Sequence, residues 1–248
     1  MSGTSFIDGL VRQYTLRELP AWGLLYSLLI DNRHGRWDDS EIVEIVGKIH
    51  GYRMRLDLAE WPDRLAYFLG RWYDLPTQLL LKEALSPGDV VVDVGGNIGM
   101  FTLTARHYVG EGGAVHAFEP NPAPRERFLR HLEANGIANV TLHPFALDER
   151  EGGAVLHAPK TNPGEGSLAR PAYPDADIVA QAVRIKVGDL VLPDVSPRLL
   201  KIDVEGAEIG VLRGFSRMIA RSRPVIVCEC AEKHLQRFGR SFADLAAM

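Results

Sequence analysis

The run Val90-Val91-Val92-Asp93-Val94-Gly95-Gly96-Asn97-Ile98-Gly99 decides the fold of this 248-residue chain. Four valines around one acid read as a strand buried on both faces. The glycines that follow let backbone approach a ligand, and the amphipathic stretch at about 98–108 presents free N–H groups at its start. Strand, glycine turn and helix in that order form the first unit of an open α/β sheet, in which ligands lie beyond the carboxyl ends of the strands. The dinucleotide fingerprint G-x-G-x-x-G does not fit, because the glycines fall at 95, 96 and 99.

Asp93 sharpens the reading. An acid at a strand tip repels a pyrophosphate and suits a ligand carrying an ammonium or sulfonium, so S-adenosylmethionine is preferred to a nicotinamide dinucleotide. A second strand, Ala114–Phe118, ends in Glu119-Pro120-Asn121-Pro122. Glu119 follows Gly95 at close to the ~20-residue offset at which an acid meets ribose hydroxyls in such sheets. A third strand, from Leu199, delivers Asp203 and Glu205 at its carboxyl end in Lys201-Ile202-Asp203-Val204-Glu205-Gly206-Ala207-Glu208. Glu208, and Glu205 as a cap, also suit a helix start.

Outward from these motifs, apolar runs at Val90–Val94, Ala114–Phe118, Val140–Leu147, Leu199–Val204 and Val225–Cys230 alternate with helix-like stretches at about 98–108, 122–135, 207–221 and 231–246. That pitch implies right-handed crossovers and a doubly wound, mostly parallel sheet with helices on both faces. Residues 152–190 differ. They hold two β-like pieces, Gly153–Ala158 and Gln181–Val187, which read as an inserted hairpin with a long loop of functional length. Before residue 76 the apolar positions Leu10, Tyr14, Leu24, Leu28, Ile42, Ile45, Val46 and Ile49 recur at threes and fours, broken at Pro20 and at Asn32–Asp39, and Pro62–Tyr73 makes another helical patch. The domains expected are a helical N-terminal cap at 1–76 and a catalytic domain at 77–248.

Composition agrees with a folded body: 46% hydrophobic and 24% charged residues exclude wholesale disorder. The 24 glycines and 15 prolines belong in turns and ligand-approaching loops. A net charge of −4 argues against a nucleic-acid partner. Cys228 and Cys230 read as reduced core thiols, hence a reducing compartment. The start lacks a leader pattern and Trp22–Ile30 is too short to span a bilayer, so a cytoplasmic protein with no membrane span is expected.

The combination resembles the FkbM-type S-adenosylmethionine-dependent methyltransferases. Gly88 to Phe101 is similar to the family's G-D-V-V-x-D-V-G-A-N-I-G-x-F, with Gly96 in place of alanine, and Phe118–Pro122 matches its second motif. Ala146-Leu147-Asp148, Asn162-x-Gly164-x-x-Ser167-Leu168, Lys201–Glu208, Val211-Leu212-x-Gly214 and Arg223-Pro224 follow in the family's order. The resemblance implies methyl transfer to an oxygen of a sugar, polyketide or other secondary metabolite. It implies that Asp93, Gly95 and Gly99 cradle the methionine part of the cofactor, with Gly96, Asn97 and Phe101 also among the cofactor-binding residues. Glu119 would hold the ribose, with Pro120 and Asn121 also cofactor-binding, Ala146, Leu147 and Asp148 would border the adenine, and Asp203 would face the active centre. Family sheets usually carry a last antiparallel strand pair, for which no residues remain after 231–246. Either the chain is a shortened version, or a partner (a second copy in a homodimer) or the N-terminal part covers the edge strand.

An alcohol acceptor must lose a proton, so a general base or a metal that acidifies the hydroxyl is expected. The candidates are Asp203, Glu205, Glu229 and His234, and Asp203 with Glu229 at adjacent strand tips could offer oxygen ligands to a divalent cation. The family commonly places a histidine two residues after that glutamate. Here Cys230 and Ala231 follow Glu229, and the next histidine, His234, lies further on, where it would face solvent on a helix. His116 and His143 read as packing or surface residues. A small-molecule or glycan acceptor is expected between the strand tips, the 159–180 loop and the N-terminal part, where Trp22, Trp37, Trp61 and Trp72 are wall or core. The alternative is a non-catalytic cofactor-binding or scaffold protein that keeps the fold.

Overall fold

A computed structural model describes residues 6–31, 37, 42–160, 162–170, 174 and 177–248. Most of the break read at Asn32–Asp39 and parts of the 159–180 loop lie outside the described residues. The chain divides into two compact units, 1–79 and 80–248.

The first unit holds α1 (Phe6–Leu16), α2 (Trp22–Tyr26) with a π-turn at Ser27–Asp31, β1 (Ile42–Val46), β2 (Arg53–Asp57) and α3 (Trp61–Leu69). The helical spacing read through Ile42–Ile49 is corrected: β1 pairs antiparallel with β2, from Ile42 opposite Asp57 to Val46 opposite Arg53. The β-branched run Ile-Val-Glu-Ile-Val favours a strand, and in β2 buried Met54 and Leu56 alternate with exposed Arg53 and Arg55. The core of this unit gathers Val11, Tyr26, Ile30, Trp37, Leu58, Leu65, Phe68 and Leu69. Phe68 meets the rings of Tyr26, Trp37 and Tyr67 edge-on at 5.4, 6.3 and 5.2 Å. Trp37 is therefore core, whereas Trp61 is exposed beside Tyr73.

After α4 (Leu75–Ala84), within which the division falls, come β3 (Val90–Val94), α5 (Met100–Val109), β4 (Ala114–Phe118), α6 (Pro122–Ala134) and β5 (Val140–His143). They are followed by β6 (Ala146–Leu147), β7 (Gly152–Pro159), β8 (Ile178–Lys186), α7 (Gly188–Val191), β9 (Leu199–Ile202), α8 (Glu208–Gly214), α9 (Ser216–Ser222), β10 (Val225–Cys228), α10 (Glu232–Arg237) and α11 (Phe242–Ala246). The main sheet runs β10-β9-β3-β4-β5, every pairing parallel. From β3 the chain winds outward through β4 and β5, then returns to place β9 and β10 on the other side. The winding reverses between β3 and β9, and that is where open α/β sheets make their ligand crevice.

The single strand read over 140–147 is two pieces. Pro144 has no N–H for the ladder, so β5 stops at His143, and Ala146–Leu147 joins β8 instead. The inserted hairpin is present: β7 and β8 pair antiparallel from Gly152 opposite Ile185 to Pro159 opposite Ile178. The helix read at 207–221 is interrupted at Phe215, and the one at 231–246 at Phe238–Ser241, where Ser241 starts α11 with a capping box. The sheet core includes Val92, Val94, Phe118, Leu200, Ile202, Val211 and Phe215. Both cysteines are free, but only Cys228 is partly buried; Cys230, beyond the strand end, is exposed and not a core thiol. Among the described residues no helix is long and apolar enough to cross a membrane.

Phe68→Ala removes the ring on which three aromatic side chains of the first unit rest. It should cost about 3–5 kcal/mol, read as a lower urea midpoint for the unfolding of that unit.

Candidate active site

The turn after β3 is shaped by close backbone approach. Gly95 has φ +85°, and a Cβ there would fall 1.8 Å from the Asp203 carbonyl oxygen, so only glycine lets the β3 and β9 tips come together. Gly95 N and Gly96 N both donate to Phe118 O, at 3.0 and 2.9 Å, which binds the turn to β4. The Phe128 ring of α6 packs beneath Gly96 and Gly99. A Cβ on Gly96 would lie 3.0 Å from it, so the glycine at 96 gives that ring room.

Beneath the turn lies one buried cation. Parallel pairing sets Lys201 of β9 opposite Asp93 of β3. Lys201 Nζ donates to Gly95 O at 2.7 Å and lies 3.3 Å from both Asp93 Oδ1 and Asp203 Oδ2. The Phe101 ring sits 5.7 Å from the ammonium. Burial alone would push the lysine pKa down, and the two carboxylates reverse that and raise it. Asp93 is wholly buried, its Oδ2 accepting from Thr102 Oγ1 at 2.6 Å. Burial raises its pKa while Lys201 and Thr102 oppose the rise. The side chain of Asp203 is 40% exposed, so the crevice presents Asp203 and conceals Asp93.

Glu119 is also buried, with Oε2 accepting from Asn97 N and Oε1 from Asn121 N, both at 2.8 Å. Burial raises its pKa to about 7 against the pull of these two N–H groups. Each oxygen keeps a lone pair for a further donor. Arg125 Nη1 donates to the carbonyls of Glu119 and Pro120, and Asn121 caps α6 through Ala123 N. Asn121 Nδ2 donates to Pro163 O at 2.9 Å. Further along this loop Ser167, fully buried, donates from Oγ to Glu205 O at 2.8 Å. Residues 162–168 therefore tie the Glu119 side of the crevice to the Glu205 side.

Beyond β9 the chain turns sharply. Glu205 has φ +57°, an arrangement costing of order 1 kcal/mol for a non-glycine residue. Gly206 follows at φ +112°, where a Cβ would fall 2.5 Å from His234 O, so α10 approaches closely. His234 Nδ1 thus lies 2.7 Å from Glu205 Oε2 and 3.6 Å from Glu229 Oε2. The expectation that His234 faces solvent is corrected, for it is 7% exposed. Burial, with Lys233 and Arg237 nearby, pushes its pKa down. Burial and the neighbouring acids Glu229 and Asp203 raise Glu205 to about 8, and burial with Asp203 and Glu208 raises Glu229 to about 7. Glu208 has the plainer role: its Oε1 accepts from Val204 N and Gly206 N and holds the turn.

Asp203, Glu205, Glu229 and His234 all sit around the carboxyl ends of β9 and β10. The histidine joins Glu205 and Glu229, while the carboxylate of Asp203 turns to Lys201. Ala146 and Leu147 are buried in β6, and Asp148 packs against Gly210 and Gly214 of α8. His143 stacks on Phe118 at 4.4 Å, burial holding its pKa near 4, so it packs as a neutral ring. Sequence reasoning missed the parts played by Lys201, Thr102 and Ser167. The available signal for Lys201 was a charged side chain within the otherwise apolar Leu199-Leu200-Lys201-Ile202.

Lys201→Met leaves Asp93 buried and uncompensated and should destabilise the second unit by about 3–5 kcal/mol. The double variant Asp93→Asn/Lys201→Met should recover part of that loss in chemical denaturation. Strictly additive losses would mean that the pair is not coupled.

A family model described as the methyltransferase FkbM domain matches residues 93–248. Methyltransferase 1 of Beauveria bassiana is 32% identical over 143 residues, covering 50% of this chain and 57% of that protein. The 31-O-demethyl-FK506 methyltransferase FkbM of Streptomyces tacrolimicus is 33% identical over 158 residues, covering 52% and 60%. The hexuronic acid methyltransferase AglP of Haloferax volcanii is 29% identical over 153 residues, covering 60% and 59%. The chain thus spans less than two thirds of the length of these relatives. With the glycine turn, the acid after β4 and the acidic tip of β9 all inside the matched residues, the chain belongs to the FkbM methyltransferase domain family.

Proposed function

We propose that the chain uses S-adenosylmethionine to methylate a hydroxyl of a sugar, polyketide or other secondary metabolite. The observation that carries this reading is the placement of Glu119, the glycine turn and the exposed Asp203 carboxylate at the carboxyl ends of the adjacent parallel strands β4, β3 and β9. The glycine turn beside the exposed Asp203 carboxylate suits the methionine part of the cofactor, and Glu119 has lone pairs left for ribose hydroxyls. Ala146, Leu147 and Asp148 are assigned to the adenine border by the family pattern. When bound, the cofactor supplies a methyl group activated by a positive sulfur.

The work left to the chain is orientation and charge. Asp203 offers a carboxylate to a cationic centre. Asp93, wholly buried, acts at one remove by holding Lys201 and Thr102, so that the turn and the Asp203 carboxylate keep their places. An acceptor hydroxyl held against this opening gains its rate chiefly from alignment with the transferring methyl. Its proton leaves toward Glu205, Glu229 and His234. Oxygen as the target is supported by two relatives, one named for a 31-O-demethyl substrate and one for hexuronic acid. The free cysteines support a reducing, cytoplasmic setting, and the net charge of −4 supports acceptors other than nucleic acid.

Calorimetry should give micromolar binding of S-adenosylmethionine or its demethylated product. Glu119→Gln, which forfeits charge-assisted hydrogen bonds to the ribose, should weaken it by about 10- to 100-fold. Incubation with sugar and polyketide alcohols should then yield a product one methylene heavier by mass spectrometry. Absence of binding by the intact chain would sink the reading. Binding without turnover on any acceptor would favour a non-catalytic cofactor-binding protein.

A further inference from the structure

Three side chains from three separate elements meet at the edge of the crevice: Glu205 from the turn after β9, Glu229 from beyond β10 and His234 from α10. Their arrangement is not that of a hydrogen-bonded triad. His234 Nδ1 is buried and lies 2.7 Å from Glu205 Oε2 and 3.6 Å from Glu229 Oε2, yet it is aligned for a hydrogen bond with neither. Glu229 Oε2 is likewise buried without a hydrogen bond. A buried imidazole nitrogen and a buried carboxylate oxygen that satisfy no partner normally cost stability, and here they point toward one another and toward a second carboxylate.

One kind of ligand answers all three at once. The three ligand atoms lie within 4.8 Å of one another. Two bonds of about 2.1 Å at a right angle hold their ligand atoms about 3 Å apart, and the two distances from His234 bracket that value. An all-oxygen site would suit magnesium or calcium, whereas one imidazole with two carboxylates suits a first-row ion such as manganese or zinc. Glu205 is fixed for such a role by its own backbone, since Ser167 holds its carbonyl and Gly206 lets α10 approach.

We propose that Glu205, Glu229 and His234 bind a single divalent cation of the manganese or zinc type through one imidazole nitrogen and two carboxylate oxygens. The set differs from the Asp203–Glu229 pair expected from the sequence: Glu205 and His234 join Glu229, while Asp203 pairs through one oxygen with Lys201. Three protein ligands leave coordination positions open. On the methyl-transfer reading, which this role rests on, an acceptor hydroxyl entering one of them is acidified by the ion and gives its proton to solvent or a neighbouring carboxylate. Its oxygen takes the methyl group as the S–CH₃ bond breaks, the electron pair stays on sulfur and the cofactor leaves as the neutral thioether.

The test uses the full chain, stripped with a chelator, dialysed and titrated with manganese(II) chloride. Binding is followed by loss of the paramagnetic resonance signal of the free ion, and zinc(II) competition gives the second affinity. One saturable equivalent is expected, with His234→Gln and Glu229→Gln each weakening it tenfold or more while circular dichroism stays unchanged. Glu205→Gln is a further variant, and its folding is not needed for the result because the other two leave the strained turn intact. Asp203→Asn should keep the ion within about threefold, a change under 1 kcal/mol. No saturable binding, or binding that ignores the His234 and Glu229 substitutions, overturns the site. Calorimetry with S-adenosylhomocysteine on the same preparation separates the two ideas: ion binding without cofactor binding upholds the metal site and removes the methyl-transfer reading, and the reverse removes the metal site alone.

Discussion

Lys201 carries a positive charge into a strand that otherwise buries only apolar side chains, and the ligand end of the sheet is arranged around it. A buried ammonium is tolerable only if paired and hydrogen-bonded, and here it has two carboxylates and a carbonyl. Those partners belong to the three pieces that must be held together: Asp93 within β3, Gly95 in the turn after it and Asp203 beyond β9. Parallel register does the rest, because pairing Lys201 with Asp93 also brings the Gly95 turn against the Asp203 backbone. A charge that is expensive to bury thereby fixes the geometry of the crevice.

The second constraint is connectivity. A crevice at a winding reversal is open by construction, since the chain leaves β3 and β9 in opposite directions. Here residues 162–168, between β7 and β8, bridge its two sides. Asn121 grips Pro163, and Ser167 grips Glu205. The same few residues thus brace the Glu119 side of the sheet and the acid cluster beside β10.

Much of this was legible in the sequence where a local rule had no competitor. Val90–Val94 with its glycines could be little else than a buried strand entering a ligand turn, and the acids after the second and third strands fell where such sheets use them. Other features depended on partners far away in sequence. Ile42–Ile49 has apolar spacing compatible with a helix, and only pairing with Met54 and Leu56 makes its β-branched residues a hairpin. Pro144 was visible, but its effect, diverting Ala146–Leu147 to another sheet, needs β8 to exist first. His234 misled because spacing along the chain was taken as position. The chain turns into α10 just after Glu229, and Gly206 allows that helix to close in, so a histidine several residues late still reaches the glutamates. Lys201 was quoted within its motif, yet its task appears only when β9 is laid beside β3.

The central claim is that a crevice organised by Lys201 holds S-adenosylmethionine between the Gly95–Gly99 turn and Glu119. A crystal structure with S-adenosylhomocysteine tests it most directly. The account predicts ribose hydroxyls on the Glu119 carboxylate, the homocysteine part against the glycine turn and Asp203 on the side of the sulfur. The ligand bound away from that turn, or its ribose out of reach of Glu119, would contradict it.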